Sequence, residues 1–157
     1  MRFIRGILSL FLALFLVVVC VQWSVHPTRN PAEGQVLLYD LPGENAFFHL
    51  AAKSTGLALL EPTGRLVVGW LLLLVSALLI VQPLRRVGAG LALILFAALV
   101  GMQTLPFLPQ DLPETVSSER TDGMARYYLN LACLTASFLL LFVHPKKIRQ
   151  PYSRSNR

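Results

Sequence analysis

The sequence predicts an all-α integral membrane protein, a four-transmembrane-helix antiparallel bundle with a short interfacial helix in its first extracytoplasmic loop. Three observations predict it. First, Leu66 to Leu105 reads as two apolar runs of 17 and 18 residues joined by PLRRV, and neither run contains a charge. A soluble helix of that length carries a polar stripe every three or four residues, and a strand pair would alternate. Seventeen helical residues rise roughly 26 Å, enough to cross most of a hydrocarbon core. Second, only 14% of the 157 residues are charged, far below the quarter usual in soluble domains. Third, the Lys and Arg residues behind the net charge of +6 gather at the ends of apolar runs, where membrane topology is encoded. That distribution, with no zinc-finger spacing and no basic helix interleaved with aromatics, argues against nucleic acid as a partner.

The chain forms a single membrane domain over residues 1–145, with spans at 7–23, 66–82, 88–105 and 127–143, followed by a basic tail at 146–157. The first span, Ile7 to Trp23, follows MRFIR and is closed by an interfacial tryptophan. The exit VQWSVHPTRN offers no small-residue cleavage site, and Val19 is too bulky to precede a lipoprotein cysteine at Cys20, so an uncleaved first helix is expected. Between the first two spans, Gln35 to Leu41 is either extended or laid on the lipid surface. Asn45 to Leu60 starts as a helix with Asn45 as its cap, and Gly56 and Pro62-x-Gly64 interrupt it. Pro106 and Pro109 end the third span, QDLPETVSSERTDG forms an acidic surface loop, and Tyr127 and Tyr128 anchor the fourth.

Four spans place both termini on one side. That side holds Arg2, Arg5, Arg85, Arg86, Lys146, Lys147, Arg149, Arg154 and Arg157 without one carboxylate side chain. The opposite side holds five basic and eight acidic residues. Nine against five makes the termini cytoplasmic, and the membrane expected is a bacterial-type cytoplasmic (inner) membrane.

Packing is expected through small residues, at Gly88-xxx-Ala92 and Ala97-xxx-Gly101 in the third span, Ala132-xxx-Ala136 in the fourth, and Gly69, Ser76 and Ala77 in the second. Some of these faces are left for another subunit. No acid, base or histidine occupies the middle of a span, which removes a proton relay or a haem histidine pair. Of the polar groups there, Ser9, Ser76, Asn130, Thr135 and Ser137, the amide of Asn130 most needs a partner across a helix interface. Cys20 and Cys133 read as buried small hydrophobes with no Cys-x-x-Cys motif. His26, His49 and His144 lack metal-ligand spacing. Where the second span begins, Glu61, Arg65, His49 and Lys53 gather. They read either as interfacial anchors or as a site for an anionic or quinone-like ligand.

The stretch LEPTGRLVVGWLLLLVSALLIVQPLRRVGAGLALILFAALVGM, with FFHLAAKSTG before it, resembles the DoxX-like family of small four-helix membrane proteins. The likeness lies in the leucine-rich second span, the arginine-bearing turn and the Gly-Ala start of the third span. The resemblance implies the bundle, the short helix between the first two spans, and a role serving a partner in sulfur- or quinone-linked oxidoreduction. The family often places a glutamate inside the start of the second span. Here Glu61 comes earlier and Arg65 stands nearer that position. The function expected is a non-catalytic membrane subunit or scaffold, accessory to a membrane oxidoreductase, with membrane lipids and another membrane or extracytoplasmic subunit as partners. No motif indicates a cofactor. The alternatives are a quinone-linked redox membrane enzyme or its membrane half, with quinone as its cofactor, and a small transporter.

Overall fold

A computed structural model describes residues 2–25, 36–104, 108–114, 116–117 and 119–143. Its helices are α1 (Arg2–Ser24), α2 (Ala46–Thr55), α3 (Thr63–Ile80), α4 (Arg85–Thr104) and α5 (Ala125–Val143), with 3-10 turns at Ala58–Leu60 and Gln82–Leu84. By length and composition, α1, α4, α5 and the stretch Ala58–Ile80 that ends in α3 are long and apolar enough to cross a membrane. Among the described residues no β-sheet forms, and an isolated bridge pairs Pro113 with Thr121. The fold is the all-α bundle of four long helices and one short helix that the apolar runs predict.

The long helices close a ring in which α1 packs on α3 and α5, α3 on α4, and α4 on α5. Each contributes an inward stripe at helical spacing: Leu12, Leu16 and Cys20; Leu72, Val75 and Leu79; Ala89, Ala92 and Phe96; Cys133, Ala136 and Leu140. Phe96 is wholly buried on the same face as Ala89 and Ala92, so a large ring sits where small neighbours leave room. Outward, Trp70, Ile94 and Phe142 are each about two-thirds exposed, a surface that suits lipid and not water.

All four long helices begin two to five residues before the predicted spans, and two of them end one or two residues sooner, because backbone helicity and hydrophobicity stop for different reasons. Thus α3 begins at Thr63, directly after Pro62, and ends at Ile80 instead of 82. The chain leaves helical geometry at Val81, which is extended, and turns through the 3-10 segment Gln82–Leu84 that holds Pro83. The following helix starts at Arg85, before the apolar run begins. Arg85 therefore folds inward: it is 6% exposed, its Nε donates to the Leu79 carbonyl at 2.9 Å, and Nη1 reaches Ser9 Oγ at 3.5 Å. It satisfies a carbonyl that the end of α3 leaves without an intrahelical partner. Arg86 beside it is exposed. The two arginines of the turn thus divide between a helix cap and the surface.

Close approach of α3 and α4 depends on Gly88. A Cβ there would lie 3.0 Å from Leu78 Cβ and 3.1 Å from the Leu79 backbone nitrogen. Ala92 is buried below it, whereas Ala97 is exposed and a Cβ on Gly101 would meet nothing within 4 Å. Of the two small-residue motifs read in this span, the first packs the bundle and the second faces away from it. Cys20 and Cys133 are buried free thiols. The tail at 146–157 lies outside the described residues.

These contacts set an expected contrast. Gly88→Ala forces backbone apart and should cost about 1–3 kcal/mol, while Gly101→Ala should leave stability unchanged or raise it slightly. Thermal unfolding of both variants in one detergent measures the difference, and equal midpoints would remove the close approach at Gly88 from the account.

Candidate functional site

The polar chemistry of the chain concentrates at the end of the bundle where α1 stops and α3 starts. The last residue of α1, Ser24, is fully buried, and its hydroxyl lies 2.8 Å from the Cys20 carbonyl oxygen and 3.0 Å from that of Gly69 in α3. The chain then returns to the same place. Leu37 N–H donates to Trp23 O at 2.9 Å, Leu38 N–H donates to Ser24 O at 3.2 Å, and a turn closes from Asp40 N–H to Val36 O. Val36 and Leu37 are buried. This segment is thus not extended: Val36 and Leu37 go inward under a hydrogen-bonded turn, while Tyr39 and Leu41 remain exposed.

Asp40 organises that turn. Its Oδ1 accepts from Val36 N–H at 2.9 Å and its Oδ2 from Asn45 Nδ2 at 2.7 Å. Asn45 in turn caps α2 by accepting from Phe48 N–H at 3.3 Å, and Gly56 ends the helix in left-handed geometry at φ 71°. Phe47, Phe48 and Ala51 bury the inward face of α2.

Arg65, in the first turn of α3, ties this cap to the bundle. It is 2% exposed. Nε lies 3.0 Å from Glu61 Oε1, and Nη1 donates to the Leu37 carbonyl. The same Glu61 oxygen accepts from Gly43 N–H at 3.2 Å. One guanidinium and one carboxylate therefore hold both ends of the Leu37–Gly43 segment. The second oxygen of Glu61, Oε2, is buried and has no hydrogen-bond partner among the described residues. Burial raises the Asp40 carboxyl above its ordinary value, against the opposing pull of its bonds to Asn45 and Val36 N–H and the charge of Arg65.

The four residues read from the sequence at this end do come together, in two arrangements. Glu61 and Arg65 form the buried pair. His49, Lys53 and Glu61, with Pro42, Gly43, Ala52, Gly56 and Ala58, line one open groove of about 620 Å³. His49 and Lys53 share a face of α2, with Lys53 exposed.

A second polar cluster holds the connection into α5. Arg126 Nε pairs with Asp122 Oδ2 at 3.2 Å, and its Nη2 donates to Glu114 O at 3.1 Å. Asp122 Oδ1 accepts from Leu112 N–H, and Asp111 Oδ1 accepts from Met124 N–H. The acidic loop is thus partly a cap built over buried Leu108 and Leu112. One turn into α5, Asn130 Nδ2 donates to Gln103 Oε1 of α4 at 3.0 Å, while Asn130 Oδ1 and Gln103 Nε2 are buried without partners among the described residues. Arg126, Asn45, Trp23, Phe47 and Phe48 contribute to a partly enclosed cavity of about 30 Å³, room for about two waters.

Sequence reading missed Asp40, Gln103 and Arg126 as members of these clusters. For Asp40 the available signal was an acid five residues ahead of the Asn45 cap, with Pro42-Gly43 between them. Gln103 was visible as an amide near the same end of the bundle as Asn130. His26 and His144 lie outside the described residues, and among those described no three His, Cys, Asp or Glu residues gather as a metal site.

Comparison with known families, with curated proteins and with solved structures finds no match to this chain. Fold and site together define a small multi-spanning, all-helical membrane protein with a polar cap on one end of its bundle.

Removing Arg65 leaves Glu61 and Asp40 buried without their cation, so Arg65→Ala should cost about 3–5 kcal/mol of stability. Arg65→Lys should recover little, because one ammonium cannot reproduce the fork that reaches Glu61 and Leu37 together. Arg65→Ala combined with Glu61→Gln should cost less than the sum of the two, and strict additivity in equilibrium unfolding would show that the pair carries no coupling.

Proposed function

We propose that this chain is a non-catalytic subunit or scaffold of a bacterial-type inner membrane. In this reading it has the architecture of the DoxX-like proteins it resembles and is accessory to a membrane oxidoreductase. Both termini are cytoplasmic, from the nine-to-five bias of Lys and Arg, which puts the α2 end outside. The observation that carries the reading is the outward face of α4. Gly90, Ile94, Ala97 and Gly101 recur at spacings of four, three and four and so share one stripe. A Cβ on Gly90 or Gly101 would meet nothing within 4 Å, and Ala97 and Ile94 are exposed. The opposite side of the same helix, through Gly88, Ala92, Phe96 and Leu99, is the one buried in the bundle.

In lipid, apolar burial gives helices no reason to associate, and association depends on close backbone packing that small residues permit. A stripe of Gly90, Ala97 and Gly101 around one protruding Ile94, pointed away from its own bundle, is therefore suited to a helix from another subunit. A coupled transporter would place ionisable or discontinuous groups at midplane, and the polar groups described above sit toward the helix ends.

A photo-crosslinking amino acid placed at Ala97, with one at Phe142 on the exposed face of α5 as control, tests the proposal in native membranes. A discrete protein adduct from position 97 and none from 142 is expected. Gly90→Leu together with Gly101→Leu should reduce that adduct about tenfold or more, in line with the loss of a close-packed contact. Lipid adducts alone at both positions would overturn the reading.

A further inference from the structure

The groove lined by His49, Lys53 and Glu61 brings a covered carboxylate and an exposed ammonium to one place. Glu61 Oε1 is saturated by Arg65 and Gly43, and Oε2 is buried and without a donor, although the Glu61 side chain is only 7% exposed. Leaving a buried carboxylate oxygen without a donor is costly, and a site with such a group favours a ligand that supplies one. Lys53 and His49 lie on one face of α2 along the same groove, and Lys53 carries a positive charge into the solvent-facing rim. A donor-bearing cation beside an anion is the chemistry that matches this order of groups.

The setting narrows the ligand to a lipid. Leu41 stands next to Pro42 of the groove, and Leu57 and Leu59 flank its Ala58. These three leucines are 64%, 59% and 75% exposed. A rim of exposed leucines around a charged groove, at the start of a membrane helix, matches an amphiphile whose polar head enters while its chains stay outside. We propose that this groove binds the headgroup of a glycerophospholipid bearing a primary ammonium, which meets Glu61 Oε2 as a small turn of the carboxylate brings that covered oxygen to the groove, while the phosphate faces Lys53 and His49. A quaternary ammonium has no N–H to give and leaves Oε2 as it was. An anionic lipid without an amine meets Lys53 and offers Glu61 no charge-assisted bond. The site lies on α2 and the turns on either side of it, apart from the α4 stripe, and does not depend on the role proposed for that stripe.

The test uses the full chain, delipidated in detergent and titrated with phosphatidylethanolamine, phosphatidylcholine and phosphatidylglycerol of identical acyl chains, with native mass spectrometry counting bound lipid. Wild type should bind phosphatidylethanolamine about tenfold more tightly than phosphatidylcholine or phosphatidylglycerol. Glu61→Gln keeps an oxygen for Arg65 but puts an N–H₂ where Oε2 was, and should bring phosphatidylethanolamine down to the level of phosphatidylcholine. Lys53→Met, at an exposed side chain, should weaken both of those lipids alike and keep their ratio. Equal binding of the three lipids by wild type would overturn the proposal, as would a ratio unchanged by Glu61→Gln. A ratio that rises in Lys53→Met would overturn it too, since Lys53 would then be the donor to Glu61. Displacement of bound lipid by an equal concentration of free phosphoethanolamine would reject a lipid as the occupant. Should Glu61→Gln fail to fold, unaltered phosphatidylethanolamine affinity in Lys53→Met overturns the proposal by itself.

Discussion

The arrangement at the α2 end depends on one buried guanidinium. Arg65 lies in the first turn of a helix that continues as Leu66, Val67 and Trp70, all exposed on its lipid-suited face, yet Arg65 itself points inward and is covered. Burying a charge at the edge of a low-dielectric bundle costs several kcal/mol unless partners replace the lost water. Here Glu61 and the Leu37 carbonyl do so, and the charge of Arg65 also acts on the carboxyl of Asp40. Because those partners sit before α3 in the chain, satisfying one side chain folds the whole 36–61 segment back over the bundle. Arginine suits this position because its planar fork addresses a carboxylate and a carbonyl at once, which a lysine ammonium does less well.

The rest of the molecule divides along the same line between polar ends and apolar walls. Helix ends leave carbonyls and N–H groups unmet, and in a membrane protein these have to be satisfied within the protein or at the interface. Arg85 meets a carbonyl at the end of α3, Asn45 caps α2, and Asp122 accepts from Arg126 N–H at the start of α5. Between those ends the contacts are nearly all apolar. The hydroxyls of Ser76 and Ser137 return to carbonyls of their own helices, at Leu72 and Cys133, and Ser76 also meets the Cys20 thiol of α1. Asn130 and Gln103 are bonded side chain to side chain across α4 and α5.

The bundle was legible in the sequence because membrane helices are written as long uncharged runs, and one run per helix was readable from Ile7, Leu66, Gly88 and Tyr127 onward. The short helix was legible for a different reason. Asn45 and Gly56 are chemically suited to begin and end a helix, and they do so. What escaped was the direction of polar side chains. Nothing in the order PLRRV separates an Arg85 that caps α3 from an Arg86 at the surface, since both are basic residues after a proline. Likewise Val36 and Leu37 gave no alternation, and their burial follows from Asp40 and Arg65, one of them 28 residues distant from Leu37. The groove was half legible. His49 and Lys53 were visible as a helix face, whereas the saturation of one Glu61 oxygen and not the other emerges only from the folded geometry.

The most direct measurement of this account is hydrogen–deuterium exchange on the intact chain in detergent, comparing wild type with Arg65→Ala. If Arg65 holds the cap, the amides of Leu37, Leu38 and Asp40 should lose protection in the variant, while amides along α4 and α5 keep theirs. Unchanged protection from Val36 to Asp40 would contradict the account, because the segment would then be held by its own turn and its apolar contacts without the buried charge.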